Sequence, residues 1–346
     1  MIVSVAISSF DSAELLRACL AGLLNQETNT SLEVLVIDSG STQGERSVCA
    51  EYQDRFRSLL YERTDKETLY AAWNRALSKA SGRYFVNVNT DDALHPQALA
   101  VLAGALDHDD AAALAYGDWM WAIVPNAPYP WDPSFRRCVH SEYHPTMPLF
   151  YAYAGCLQFW RTDKLRELGG FNAGYRAAGD YDILCRMALR RWHAVYVPMA
   201  VSAFYQNPGG LSRSSGTSIK EFTGIRDRFR GEVTIGDLYE VDPGDAAACA
   251  RAWTDLSRRA LALHIPWSEE ATPEPEFAAE CARRALALNP WSHEAMSVLA
   301  AATGGWRARV RCAAARATAL FAGPPLPPPR ARTPSPVFRP AEQNTL

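Results

Sequence analysis

Residues 32–43 read Leu32-Glu-Val-Leu-Val-Ile-Asp-Ser-Gly-Ser-Thr-Gln43. An aliphatic, β-branched run stops abruptly at a carboxylate and a Ser-Gly turn, which suits a strand buried on both faces that delivers a polar loop at its carboxyl end. The same order recurs on either side. Ile2-Val-Ser-Val-Ala-Ile-Ser-Ser-Phe-Asp11 precedes it, and Arg83-Tyr-Phe-Val-Asn-Val-Asn-Thr-Asp-Asp92 follows. The stretches between them have helical spacing. Asp11 and Glu14 form a cap-like pair ahead of Leu15, Leu16, Cys19, Leu20, Leu23 and Leu24. Further helices are expected over about 45–57 and over 68–81, the latter with Leu69, Trp73, Ala76 and Leu77 on one face. Pro96 suits the first turn of another, striped by Leu99, Leu102 and Leu106. Strand and helix thus alternate at least three times within the first 115 residues, which predicts a mostly parallel sheet flanked by helices. Ligands of such sheets bind beyond the carboxyl ends of the strands. The polar clusters at 8–11, 38–42 and 89–92 fall there.

The chain has 346 residues, enough for one to two domains, and its 48% hydrophobic and 21% charged residues are an ordinary globular balance. A net charge of −3 gives no general cationic face, so nucleic acid is not an expected partner. No apolar run reaches the length that spans a bilayer, and Met-Ile-Val-Ser enters a strand pattern directly, so no signal peptide is expected. The eight cysteines contain no CxxC pair and lie in apolar surroundings, the pattern of reduced thiols in a cytoplasmic protein rather than of a zinc site.

Further along, residues 116–150 are rich in aromatics and proline without clear periodicity, and are expected to be an irregular excursion over the sheet. A helical segment over 176–192 follows Gly179-Asp-Tyr-Asp182. A strand is expected at 194–205 and a polar loop at 207–216. The composition then changes. The domains expected are 1–235 for the α/β core, 240–322 for an Ala- and Arg-rich helical appendage, and 323–346, with eight prolines, for a disordered tail. The appendage holds a weak repeat, Arg258-Arg-Ala-Leu-Ala-Leu against Arg283-Arg-Ala-Leu-Ala-Leu, each followed by a Pro-Trp-Ser turn whose serine suits an N-cap. The offset of 25 residues is short for a tetratricopeptide array.

In order along the chain, these motifs resemble the glycosyltransferases of family 2, which have the GT-A (Rossmann-like) fold and use nucleotide-diphosphate sugars. The resemblance covers about residues 1–230. It rests on Ser8-Ser-Phe-Asp11 after the first strand, Asp38-Ser-Gly-Ser-Thr-Gln43, Asp65-Lys-Glu-Thr-Leu-Tyr-Ala-Ala-Trp-Asn74, Asn89-Thr-Asp-Asp92, and Gly169-Gly-Phe171 ahead of Gly179-Asp180-Tyr-Asp182. It implies that Asp92 is the main ligand of Mn²⁺ or Mg²⁺ and that Asp91 contacts metal or ribose. It also implies that Asp38 hydrogen-bonds the base with Phe10 near its ring, and that Ser8, Asp65 and Asn74 lie on the nucleotide side. Asp180 is implied as the base of an inverting transfer, with Asp182 its rival. Two adjacent carboxylates are costly without a cation or ligand between them, which agrees with the metal reading.

Each residue also has a plainer reading. Asp91 and Asp92 could cap a helix, as could Asp65, Asp180 and Asp182. Asn74 could face the nucleotide or satisfy a loop. Trp119, Trp121 and Trp131 could form an acceptor platform beside Asp118, or pack a long insertion. Arg213 could reach the pyrophosphate or lie on the surface. The sequence departs from the family pattern at Gly179, where the pair is Glu-Asp, at Glu67, where a glycine is usual, and after residue 204, where a histidine ligand is often found. Gln206 or Asn207 could stand in for that histidine. The reaction expected is transfer of a sugar, from a uridine diphosphate donor before others, to a saccharide or lipid-linked acceptor. The location expected is cytoplasmic, with contact at the inner face of the membrane left open. The alternatives are a nucleotidyltransferase, or a degenerate scaffold that engages a protein partner through its helical region.

Overall fold

The first strand, β1 (Ile2–Ser9), places Val3, Val5 and Ile7 on one face, where they meet Leu16, Leu20 and Leu23 of α1 (Ala13–Leu24). That alternation seeds the main core. The structure, a computed structural model, describes residues 2–27, 31–210, 216–266, 268 and 272–304. β2 (Ser31–Asp38), α2 (Glu45–Tyr52), β3 (Ser58–Arg63), α3 (Leu69–Lys79) and β4 (Tyr84–Asn89) continue the alternation. β5 (Ala93–Leu94), α4 (Ala98–His108), β6 (Ala112–Ala122), β7 (Arg136–Cys138), β8 (Phe159–Arg161), α5 (Thr162–Glu167), α6 (Gly179–Leu189), β9 (His193–Tyr205) and α7 (Thr217–Glu232) follow. The strands form one sheet in the order β3-β2-β1-β4-β8-β6-β9-β5, with β7 paired to β6. The β3-β2-β1-β4 half is parallel, and so is the long β6–β9 pairing. β8 is antiparallel to both β4 and β6, so it joins the two parallel parts.

The register aligns the strand ends. Ser9 pairs with Asp38, Asp38 with Arg63, and Ser8 with Asn89. The polar clusters read from the sequence therefore stand in one row along the carboxyl edge.

Two expectations are corrected. Residues 116–122, expected to open an irregular excursion, belong instead to β6, between β8 and β9, and most residues of that strand are buried, which removes the alternation a half-exposed strand would have shown. β3 was not expected at all, because Ser58-Leu-Leu-Tyr-Glu-Arg63 mixes burial with charge at the sheet's edge.

The chain divides into two units, the first ending at Phe229 and the second beginning at Arg230. In the second, α8 (Ile235–Tyr239) opens on a capping box between Thr234 and Asp237. Three helices follow: α9 (Ala246–Leu261), α10 (Pro275–Leu288) and α11 (His293–Thr303). Small residues such as Ala278, Ala282 and Ala285 line the buried stripe of α10. The two copies of the weak repeat behave differently: Ser292 caps α11, whereas α10 starts only at Pro275, well past Ser268. The tail at 323–346 lies outside the described residues. Among the described residues, seven cysteines are free thiols and no helix is long and apolar enough to cross a membrane.

Candidate active site

Two loops at the carboxyl edge are stapled together. Asp11, with a left-handed φ of 47°, accepts from the Thr42 N–H at 2.7 Å and from its hydroxyl at 3.0 Å. Its own N–H donates to the Ser41 hydroxyl at 3.0 Å. Glu45 accepts the Ser12 N–H at 2.9 Å. Phe10 is left 44% exposed with the Lys66 ammonium 4.0 Å above its ring, so an aromatic face is presented at the end of β1. Ser8 is partly exposed beside Asn89, and Asp65 is exposed in the loop after β3.

Asp38 stands differently from the expectation that it reaches out to a base. Its carboxylate is fully buried. One oxygen accepts from the Ser41 N–H at 2.7 Å, and the other accepts from the Tyr61 hydroxyl and, at 3.1 Å, from Arg63. Burial alone would raise its pKa, but these hydrogen bonds and the Arg63 charge outweigh it and hold the group below the usual carboxylate range. The group that Asp38 presents toward solvent is Arg63, whose side chain is 46% exposed. Neither Tyr61 nor Arg63 drew attention in the sequence, because β3 itself went unread.

The acidic pair lies at the end of β4. Asp92 is buried; it accepts from the Asn89 amide at 2.8 Å and from the Tyr205 N–H at 2.9 Å. Burial, together with the charge of Asp91, pushes its pKa up to about 7. Asp91 accepts from the Asn207 amide at 3.2 Å, and the Asn207 oxygen is taken by the Gly209 N–H at 3.0 Å. Asn207 thus meets the pair as a donor. Two adjacent hard carboxylates fit a divalent cation, although among the described residues no third His, Cys, Asp or Glu joins them. Arg213 lies outside the described residues.

Asp180 and Asp182 sit in the first turn of α6 and are separated by their surroundings. Asp182 is buried and saturated, accepting from Arg186 at 2.8 Å and Arg228 at 2.5 Å. Asp180 is only partly buried. One of its oxygens accepts from the Tyr70 hydroxyl at 3.1 Å and from the Tyr181 N–H at 3.0 Å. Burial pushes its pKa up to about 6 against those two bonds, and the negative charge of Glu221 adds to the rise. Tyr70 lies in the first turn of α3, which the loop 64–68 joins to the carboxyl end of β3. Asp180 is therefore on the same side of the sheet as Ser9, Asp38 and Asn89.

The ring of Tyr70 also accounts for Gly179. A Cβ at Gly179 would stand 2.7 Å from Tyr70 Cδ2, so the acidic neighbour of the family pattern has no room. Asn74, one turn further along α3, does not face the strand ends. Its amide donates to the Phe171 carbonyl at 2.7 Å and its oxygen accepts the Phe171 N–H at 2.8 Å. Of its two readings, the structure realises the loop-satisfying one.

The acceptor-side expectations change most. Asp118 is fully buried, and accepts from Arg137 at 2.6 and 2.9 Å, the His140 N–H at 2.7 Å and the Tyr196 hydroxyl at 2.7 Å. With every lone-pair direction occupied, it organises the sheet and offers nothing to a substrate. Trp119 is buried and donates to His140 at 3.2 Å. Trp121 packs against it at 5.1 Å between centroids but stays partly exposed, with Arg136 5.4 Å from its ring.

The model of the family described as "Glycosyl transferase family 2" matches residues 4–183, more than half of the chain. The chain belongs to glycosyl transferase family 2. Among curated family relatives, a PGL/p-HBAD biosynthesis glycosyltransferase of Mycobacterium tuberculosis is 25% identical over 215 residues, 61% of this chain and 79% of the relative. A cholesterol galactosyltransferase of Borreliella burgdorferi is 27% identical over 152 residues, 41% of this chain and 42% of that one. Among solved structures, residues 1–349 of Staphylococcus aureus TarS, crystallised with UDP, superpose with a TM-score of 0.54 at 14% identity. That match covers 91% of this chain and 89% of the other. The same TarS fragment with UDP-GlcNAc gives 0.52 at 16% identity, covering 92% and 88%. The fold is GT-A, and this member of family 2 is a glycosyltransferase enzyme.

Proposed function

We propose that the protein transfers a sugar from a nucleoside-diphosphate donor to an acceptor hydroxyl with inversion, using Asp180 as general base. The observation that carries this is the Asp180 carboxylate itself. It is raised to about 6 on the carboxyl-edge side of the sheet, with one oxygen held by Tyr70. A base is most effective with a pKa near the working pH, and its rival Asp182 is already neutralised by two arginines. Asp180 takes the hydroxyl proton as the acceptor oxygen forms its bond to the anomeric carbon. The bond from that carbon to the diphosphate oxygen breaks on the opposite face, and its electron pair leaves with the nucleotide. One displacement inverts the centre.

Asp91 and Asp92 are proposed to hold Mn²⁺ or Mg²⁺. Such a cation, when bound, supplies charge neutralisation for the departing diphosphate. Phe10 is proposed to flank the base, with Ser8 and Asp65 beside the nucleotide. Asp38 acts there through Arg63 and the loop it closes. UDP is the first nucleotide to try, since TarS, which shares the fold, was crystallised with UDP and UDP-GlcNAc. A lipid hydroxyl is the acceptor class favoured over a free saccharide, on the name of the cholesterol galactosyltransferase relative. We place the enzyme in the cytoplasm, at the membrane face when the acceptor is lipid-linked. The helical second unit is the surface on which a protein partner would be sought.

Titration calorimetry with UDP, GDP and TDP, each with Mn²⁺ and with EDTA, tests the donor side. Metal-dependent binding of one nucleotide, lost in Asp92→Ala and kept in Asp180→Asn while turnover disappears, supports the reading. Turnover that survives in Asp180→Asn overturns it.

A further inference from the structure

The turn that leads into α6 is held from α7. One Glu221 carboxylate accepts four hydrogen bonds from three successive backbone N–H groups: Arg176 at 2.9 and 3.2 Å, Ala177 at 2.8 Å and Ala178 at 3.1 Å. The next residue of α7, Phe222, stacks on Tyr181 with ring centroids 5.1 Å apart and planes 22° from parallel. Asp180 therefore lies between a backbone turn fixed by Glu221 and a ring fixed by Phe222. A carboxylate that collects successive N–H groups ahead of a helix occupies that helix's positive end. Here it comes from a different helix, 41 positions later in the chain than Asp180.

We propose that Glu221 is a positioning residue for Asp180, holding the entry to α6 and placing a second negative charge beside the reactive carboxylate. The inference rests on the reading of Asp180 as the base. The groups around Asp180 have distinct tasks. From α3, Tyr70 donates to its carboxylate, and from β8 the Gln158 amide donates to its backbone carbonyl at 3.1 Å. On α6, Asp182 is neutralised by Arg186 and by Arg228 of α7, and Arg228 also donates to the Tyr175 hydroxyl at 2.9 Å. Glu221 donates nothing to Asp180. It acts by fixing the backbone and by like charge, which favours the protonated form of Asp180 and so strengthens it as a base once ionised. Sequence offered no signal for this: Glu221 is one acid among many in a polar helix, 45 residues from the first N–H it binds.

The test uses the full chain labelled with ¹³C at aspartate carboxyls, with the Asp180 signal identified by its loss in Asp180→Asn. In Glu221→Gln the Asp180 titration midpoint is expected to move down by about half a pH unit. Release of UDP from UDP-GlcNAc is expected to slow about tenfold or more in kcat with donor KM unchanged, as a slightly misplaced base requires. Glu221→Asp, which keeps the charge but draws it back, should fall between parent and Gln in both readings, and it serves if Glu221→Gln does not fold. An unmoved midpoint in the variants overturns the proposal, as does a rise in donor KM with kcat retained. The midpoint needs no turnover, so it decides even where UDP-GlcNAc is not a donor. An active Asp180→Asn would instead overturn the base reading, and the midpoint would still report Glu221.

Discussion

Gly179 lies flat against the ring of Tyr70, with the position of its missing Cβ 2.7 to 2.8 Å from three ring carbons. The contact carries the geometry of the site, because the same tyrosine hydroxyl binds the side chain of the next residue, Asp180. Gly179→Ala should push the ring and α6 apart. The expected result is a loss of about tenfold to a hundredfold in kcat, with nucleotide affinity retained. Pairing it with Tyr70→Ala, which removes the ring and leaves a cavity, should make the two stability losses less than additive without restoring turnover. Parallel melting curves and initial rates check both statements.

Tyr70→Phe keeps that packing and removes one hydrogen bond. The bond favours ionised Asp180 against burial, so its loss must raise a pKa that already stands at about 6. The acidic limb of the kcat profile should move to higher pH, by up to about one pH unit for a bond worth about 1 kcal/mol. The profile from pH 5 to 9 is the measurement, and a limb displaced to lower pH would contradict the assigned role.

Asp92 gives a stability prediction whose sign follows from linkage. Burial and the charge of Asp91 raise its pKa from the model-compound value of 3.8 to about 7 in the folded chain. Between those values the folded state binds more proton than the unfolded state, so stability contributed at low pH is lost as pH rises toward 7. At pH 8 in EDTA, Asp92→Asn should therefore melt above the parent. Added Mn²⁺ should raise the parent's Tm and leave the variant's almost unchanged, because the ligand oxygen pair is incomplete. Differential scanning calorimetry in the two buffers reads all four values.

The parallel half of the fold was legible because β1, β2 and β4 are apolar runs that end in polar turns, and their register then sets Ser9, Asp38 and Asn89 side by side. β6 was hidden for the opposite reason: burial on both faces erases periodicity, and its Trp119 and Trp121 looked like a platform on a loop. The acids at 91, 92, 180 and 182 could be found by pattern, and the resemblance put Asp180 ahead of Asp182, but pattern offered no electrostatic ranking of the two. That ranking depends on Arg228, which lies 46 positions from Asp182 in the chain. Asp118 misled for a related reason. An acid beside aromatics reads as a binding group until its four donors are seen.

Asn74 illustrates how a motif residue can serve the site without touching the donor. Both ends of its amide are spent on the backbone of Phe171, and Phe171 stacks on Tyr70 with centroids 6.1 Å apart. Asn74→Asp keeps the size but replaces the donor with an acceptor facing the Phe171 carbonyl. It should cost about 2 kcal/mol of stability, while Asn74→Ala costs somewhat less. Both should lower kcat more than they alter nucleotide affinity. Denaturant melts alongside nucleotide calorimetry provide the check.

Asp118 is the residue whose loss should hurt the fold most and the donor site least. Its carboxylate is buried and paired with Arg137, whose other contact is the Pro198 carbonyl at 3.1 Å. Asp118→Ala removes the acceptor of the Tyr196 hydroxyl and the His140 N–H, at about 1–3 kcal/mol for each buried donor, whereas the 45% exposed Arg137 is resolvated. Asp118→Asn retains acceptance on one oxygen and should cost less. Because Asp118 lies on β6, and the nucleotide row is built from β1, β2 and β4, the protein that remains folded at low temperature should bind UDP with parental affinity. A loss of affinity out of proportion to the loss of folded protein would return Asp118 to the substrate side.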